Sequence, residues 1–157
     1  MTEPAPDAVP VRARIVLIED GAVALIERQR AGRTYYAFPG GGVDLGETPE
    51  EAAVREAREE LGLTVMVKRL LATVHFDQTD RPSGATIQHH YQVAVEGGSW
   101  GTGTGEEYGP DVAPEAGTYR PCWIRLNELL RVDLRPRALA VALVARDESV
   151  WPLVLRD

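Results

Sequence analysis

The sequence predicts an α/β fold, a mixed β-sheet with helices on both faces. Two observations lead to it: β-rich runs come in pairs joined by turn residues, and two segments of helical periodicity, 49–61 and 135–147, are set apart by strands. At 157 residues, 44% apolar and 26% charged, the chain is long enough to bury a core without a disulfide or structural metal. The expected organisation is a proline-rich lead-in over 1–10 and one domain over 11–157, which contains a long glycine-rich loop over 97–118.

RARIVLIE (12–19) and AVALIE (22–27) are β-rich and meet at Asp20-Gly21, a dipeptide that favours a type I′ hairpin. Arg28, Arg30 and Arg33 then cluster near a strand end, and Tyr35-Tyr36-Ala37-Phe38 forms a short strand ahead of a glycine-rich loop. Thr48-Pro49-Glu50-Glu51 has a capping-box pattern, with Thr48 as N-cap, proline at the first helical position and Glu51 reaching back. Gly62 stands where a left-handed cap closes that helix, and LTVMVKRLLATVHF turns to β-branched, strand-forming residues. TIQHHYQVAVE (86–96) and YRPCWIR (119–125) are further strands, and Pro121 makes the second an edge or bulged one. In the second helix, RPRALAVALVARD, Leu139, Ala142, Leu143 and Arg146 fall at helical spacing. Segment 97–118 has seven glycines and no periodicity. Its GTGTG is followed by Pro110 and Pro114 rather than a helix, which rejects a dinucleotide fingerprint and leaves flexibility as the expected role.

A formal net charge of −7 argues against binding nucleic acid through its phosphates. No apolar run reaches the roughly 18 residues of a membrane span, and residues 1–10 lack the basic and apolar regions of a signal peptide. The lone Cys122 excludes an intramolecular disulfide and fits a reducing, cytoplasmic compartment.

The charge is concentrated. Between Gly41 and Leu63, seven acids stand against two arginines. At 100° per residue, Glu56, Glu59 and Glu60 share an arc of roughly 100°, with Val54, Ala57 and Leu61 opposite, so the carboxylate face is expected to point away from the core. Glu56 and Glu60 form a like-charge i, i+4 pair that costs the helix stability. Arg55 lies on the flank, within reach of Glu47, Glu51 or Glu59. Clustered oxygens without a neighbouring Cys or His suit a hard divalent cation, Mg²⁺ or Mn²⁺, rather than zinc.

Gly41, Glu47 and Arg55-Glu56-Ala57-Arg58-Glu59-Glu60-Leu61-Gly62-Leu63 resemble a complete Nudix box, G-x5-E-x7-R-E-U-x-E-E-x-G-U with U apolar, and match it at every defined position. Phe38-Pro39-Gly40 resembles the lead-in. The resemblance implies an α/β/α sandwich around a mixed sheet and Mg²⁺-dependent hydrolysis of a nucleoside diphosphate linked to another group X. Such substrates include a nucleoside triphosphate or oxidised nucleotide, ADP-ribose or another nucleotide sugar, and a dinucleoside polyphosphate. It further implies Glu56 and Glu60 as metal ligands, Glu59 as a further ligand or the base, the Gly40 carbonyl as an added ligand, and Glu47 with Arg55 as a supporting pair. The alternative is a Nudix-fold sensor that binds a nucleotide without cleaving it. Family members are often dimers.

Arg28, Arg30 and Arg33 are candidates for substrate phosphates, with surface ion pairing as the competing reading. Glu106 and Glu107, then Glu115, are the candidates for a further acid brought in from the long loop. His89 and His90 point to opposite sides of their strand, so at most one faces the site.

Overall fold

The computed structural model describes residues 9–77, 84–105, 108 and 117–157. The chain starts with β1 (Val11–Val16), β2 (Ile18–Glu19), β3 (Ala22–Arg30), β4 (Arg33–Ala37) and β5 (Gly40–Gly42). Helix α1 (Pro49–Glu56) follows and runs directly into a π-helical turn, Ala57–Leu61. The long strands β6 (Leu63–Phe76) and β7 (Thr86–Gly98) come next, then β8 (Thr118–Arg125) and a 3-10 helix, Leu126–Arg131. The chain finishes with α2 (Arg137–Ala145), a 3-10 turn at Glu148–Val150, and β9 (Leu153–Arg156).

Two sheets result. One has the order β5-β1-β7-β6-β9 and is mixed, because β1 is parallel to β7 and β6 to β9 while the other pairs are antiparallel. In the other, β3 pairs with β2 and β4, and with β8. The run 12–19, read as one strand, breaks at Leu17 and changes sheets: Val16 is partnered by Gln92 and Ile18 by Val23. The alternation of side chains survives the change, so the pattern did not reveal it. Ala13, Ile15 and Leu17 pack on the α1 side, whereas Val16 packs on the other.

The helices occupy opposite faces, as expected. Ala52, Ala53, Ala57 and Leu61 of the first helical stretch pack against Ile15, Ala24, Ile26, Tyr91 and Val93. Leu139, Ala140 and Leu143 of α2 pack with Leu126, Leu129 and Val74. The second helix is shorter than its predicted 135–147, since Pro136 is its N-cap and Arg146 leaves it in the left-handed conformation (φ 56°). Ala140 replaces Ala142 in its buried row, and Arg146 is exposed. Strand β9 was not anticipated, because four residues show their alternation only once they pair with Ala72–His75. Pro121 lies in a strand that pairs, among the described residues, with β3 alone, as an edge strand should. No helix among the described residues is long and apolar enough to cross a membrane.

Two turns share one geometry. Asp20 (φ 51°) and Gly21 (φ 76°) close β2 to β3, the expected type I′ hairpin, and Ala31 (φ 52°) and Gly32 (φ 75°) close β3 to β4 in the same way. Ala31 is poorly suited to its position, because the left-handed region costs a residue with a Cβ roughly 1–2 kcal/mol. Ala31→Asn supplies the preferred Asn-Gly pair and should raise stability by about 0.5–1 kcal/mol. Urea unfolding checks this, and an unchanged or lower midpoint would refute it.

Candidate active site

The acidic helix begins as the sequence indicated. Thr48 Oγ1 accepts from the Glu51 amide at 3.1 Å and Glu51 Oε1 accepts from the Thr48 amide at 3.1 Å, while Pro49 occupies the first turn. It does not end as a uniform α-helix. The π-helical turn winds Ala57–Leu61 more widely, so the angular placement of Glu59 and Glu60 from a 3.6-residue period no longer holds. Gly62 closes it at φ 76°, in the expected left-handed cap.

The carboxylate face does not point away from the core. Glu56 and Glu60 are buried, at 9% and 6% exposure, and of the three only Glu59 keeps a substantial side-chain exposure, 41%. Their cover is the glycine strand β5. A Cβ on Gly41 would overlap the Glu56 carboxylate, so only glycine leaves room for it. The Gly40 amide donates to Glu60 Oε2 at 2.8 Å and replaces water lost on burial. Gly40 itself (φ 144°) tolerates no side chain, because a Cβ there would strike the Ala13 carbonyl across the β1–β5 pair.

Arg55 joins these parts. Its Nε and Nη2 donate to the two Glu47 oxygens at 2.9 and 3.1 Å. Its Nη1 bridges Glu56 Oε1 at 3.0 Å and Glu59 Oε2 at 3.1 Å, and Nη2 also reaches the Gly42 carbonyl at 2.8 Å. Glu51, one of the partners considered for it, is engaged in the cap instead. The Glu47 hydrogen bonds raise the Arg55 pKa, and the same bonds hold the Glu47 carboxyl below the usual carboxylate range. Glu47 also accepts from the Asp44 amide at 3.0 Å, which braces the loop between β5 and α1.

Gly40 and Glu60 open into a cleft of about 800 Å³ that also takes in Arg28, Arg30 and Arg33. The structure therefore brings the three predicted arginines to one cavity with part of the acidic cluster. Arg28 stacks on Tyr119, 3.6 Å from the ring centre, and donates to the Thr118 carbonyl at 2.9 Å. Arg33 pairs with Asp133 at 2.7 Å. Arg55, Glu47, Glu56 and Glu59 are not part of the lining. Glu106, Glu107 and Glu115 lie outside the described residues.

Sequence reasoning missed Arg14. It shares the β1–β5 pairing with Gly40 and donates to the Phe38 and Gly40 carbonyls at 3.3 and 3.2 Å and to Gln88 Oε1 at 2.9 Å. Burial lowers its pKa, and the Glu60 charge opposes that shift. The available signal was a cation at alternate positions, Arg12 and Arg14, on the same side of a strand as buried Val16. His90 is the histidine facing the cleft, edge-on to Phe38 at 5.3 Å, and burial pushes its pKa down to about 3, which keeps it neutral. His89, on the other side, meets Thr73 Oγ1 at 3.0 Å.

The described residues after β7, 99–105 and Tyr108, dock on the helical turn. The amides of Gly101 and Gly105 donate to the Leu61 and Glu59 carbonyls at 3.0 and 2.9 Å, and the Tyr108 hydroxyl donates to the Glu60 carbonyl at 2.7 Å. A Cβ on Gly103 would overlap the Glu59 carbonyl. Gly103 allows close approach to the carboxylate-bearing turn, where flexibility had been expected.

The donor chemistry fits a hard cation: carboxylates and a backbone carbonyl, with Gly41 letting the strand lie directly against the Glu56 carboxylate. Among the described residues no three His, Cys, Asp or Glu side chains already converge on one point. Glu56 and Glu59 each turn an oxygen to Arg55 instead.

Comparison with known proteins gives a consistent picture. The family model described as NUDIX domain matches residues 9–143. The chain is 39% identical over 84 residues to an ADP-ribose pyrophosphatase of Methanocaldococcus jannaschii, covering 53% of this chain and 49% of that protein. It is 39% identical over 64 residues to an 8-oxo-dGTP diphosphatase of Escherichia coli, covering 41% and 48%. The chain thus spans about half the length of these curated relatives in the matches. Its fold is similar to the crystal structure of a UDP-X diphosphatase, with a TM-score of 0.68 at 19% identity over 97% of this chain and 69% of that one.

Two outcomes follow from these contacts. Tyr108→Phe removes one hydrogen bond to a part-buried carbonyl and should cost about 1 kcal/mol in chemical denaturation; a loss near zero would mean the contact is not formed in solution. Glu47 has a depressed folded-state pKa, so its contribution is fully present above the unfolded value, about 4.3, and is lost as pH falls through the lower folded value. The stability gap between the parent and Glu47→Gln should therefore be widest near neutral pH and shrink in acid. A gap independent of pH would contradict the ion-pair account.

Proposed function

The chain belongs to the NUDIX domain family, and from that premise we propose that it hydrolyses a diphosphate bond in a nucleoside diphosphate linked to a further group X, using Mg²⁺ or Mn²⁺. The observation that carries this reading is the meeting of opposite charges at one opening. Buried Glu60 and the Gly40 backbone stand at the edge of an arginine-lined cleft, so cation and diphosphate can be held side by side. A nucleoside triphosphate or oxidised nucleotide, ADP-ribose or another nucleotide sugar, and a dinucleoside polyphosphate all carry the required bond. The names of the relatives fall within that range.

Glu56, Glu60 and Glu59, with the Gly40 carbonyl, would hold the cation. When bound, the cation screens the phosphate oxygens and makes water more acidic. Glu59, with the most exposed carboxylate of the three, takes the proton from the attacking water, and departure of the other phosphate completes the displacement. Glu47 and Arg55 touch no substrate. They orient Glu56 and Glu59, since Arg55 Nη1 spans both. Arg28 and Arg33, which line the same cleft, receive oxygens of the scissile diphosphate, a task suited to guanidinium donors. Cys122 does not line the cleft, and burial raises its thiol pKa, which disfavours the nucleophilic thiolate. The protein is read as a cytoplasmic enzyme of small molecules.

The test is a panel of diphosphate compounds incubated with Mg²⁺ or Mn²⁺, with products identified by mass. Turnover of at least one member is expected, while tight binding without turnover would favour the non-catalytic sensor. Glu56→Gln and Glu60→Gln keep an acceptor for Arg55 and the Gly40 amide, so each should fold yet lose roughly two orders of magnitude or more in kcat. Glu47→Gln, acting only through Arg55, should lose about 10–100-fold. Near-parental kcat in either of the first two variants would overturn the ligand assignment.

A further inference from the structure

The cleft beside Glu60 holds more positive charge than one diphosphate requires. Arg12, Arg14, Arg28, Arg30, Arg33 and Arg135 line it, in a chain whose formal net charge is −7. Four acids share the lining, Glu60, Asp77, Asp133 and Asp157. Three of the arginines have protein partners: Arg14 has carbonyls and Gln88, Arg28 has Tyr119 and Thr118, and Arg33 has Asp133. Among the described residues, no carboxylate lies within ion-pair distance of Arg12, Arg30 or Arg135.

The strand register makes that arrangement costly. Arg30 and Arg33 are direct cross-strand partners at the Ala31-Gly32 turn, and like charges placed opposite each other destabilise a sheet. Arg12 stands two residues from Arg14 on the same face of β1, and its charge helps lower the Arg14 pKa. Arginines that serve only as a solvated surface have no reason to converge from β1, the β3–β4 hairpin and the segment before α2 on one cavity. An anion in the cavity relieves the repulsion at each of these places.

Resting on the hydrolase reading, we propose that Arg12, Arg30 and Arg135 bind a phosphate group beyond the scissile diphosphate. The substrate class is then a nucleotide with at least a third phosphate, not a nucleoside diphosphate joined to a neutral sugar. The third phosphate can sit in line with the scissile pair or elsewhere on the molecule, and both sources offer the same dianionic oxygens.

The experiment compares kcat/KM with Mg²⁺ for ADP-ribose, ADP-ribose 2′-phosphate and a nucleoside triphosphate, using the full chain and its Arg30→Ala and Arg135→Ala variants, both at exposed positions. At least one three-phosphate substrate should exceed ADP-ribose by about tenfold or more, the gain expected from one charge-assisted contact. The member that gains identifies where the third phosphate lies. Each variant should raise KM for that substrate by about fivefold or more while changing ADP-ribose by less than about twofold. Equal or better use of ADP-ribose, or variants that impair all members alike, would overturn the proposal. If no member is turned over, the hydrolase reading fails, and calorimetry on the metal-free chain decides the inference separately. Tripolyphosphate binding about fivefold tighter than pyrophosphate, with the advantage lost in Arg30→Ala, supports it, and equal affinity overturns it.

Discussion

The guanidinium of Arg55 is the constraint on which the site depends. It is tied to the loop through both oxygens of Glu47, to the glycine strand through the Gly42 carbonyl, and to the helix turn through Glu56 and Glu59. Four carboxylates, Asp44 among them at 3.4 Å, can crowd one corner because a planar group with five donors sits among them. A lysine offers a single point charge and cannot meet that set. The eight-residue step from Glu47 to Arg55 follows from this. The chain leaves β5 at Gly42, sets Glu47 just ahead of the Thr48 cap and reaches Arg55 in the last turn of α1, where the two side chains face each other.

Backbone accounting explains the rest of the arrangement. A helix leaves its last carbonyls without partners, and a π-helical turn alters which ones remain. Here Glu59, Glu60 and Leu61 each have a carbonyl met by Gly105, Tyr108 or Gly101. The carboxylates are thus fixed from two sides, through side chains by Arg55 and β5, and through the backbone by the segment after β7. Burial of Glu56 and Glu60 belongs to the same design, since an exposed cluster would turn with solvent rather than keep its spacing.

Local signals read well and nonlocal ones did not. The capping box, the left-handed Gly62, the Asp20-Gly21 turn and the two helix faces follow from residues a few positions apart, and the structure has them. The acidic cluster and its arginine were legible for the same reason. Burial of Glu56 was not, because the covering strand lies fifteen residues upstream and acts through an absent Cβ on Gly41. The π-helical turn was hidden by the assumption of a constant period. Arg14 was hidden inside a strand pattern that reads as core, and β9 emerges only through parallel pairing with Ala72–His75, far upstream in the chain.

That division bears on substrate choice. The acidic corner is built from residues 40–60, one continuous stretch, whereas the cleft is lined from Arg12 to Asp157 by residues of seven strands and of the segments between them. A match that covers half the chain can carry the corner but cannot carry the whole cleft. Relatives named for ADP-ribose and for 8-oxo-dGTP can therefore be equally similar to this chain without either name deciding its substrate. On the proposed hydrolase reading, the decision rests with the cleft side chains from outside the continuous stretch. Of these the arginines dominate, since a phosphate beyond the scissile pair adds charge that their guanidinium groups meet and a neutral sugar leaves their repulsion in place.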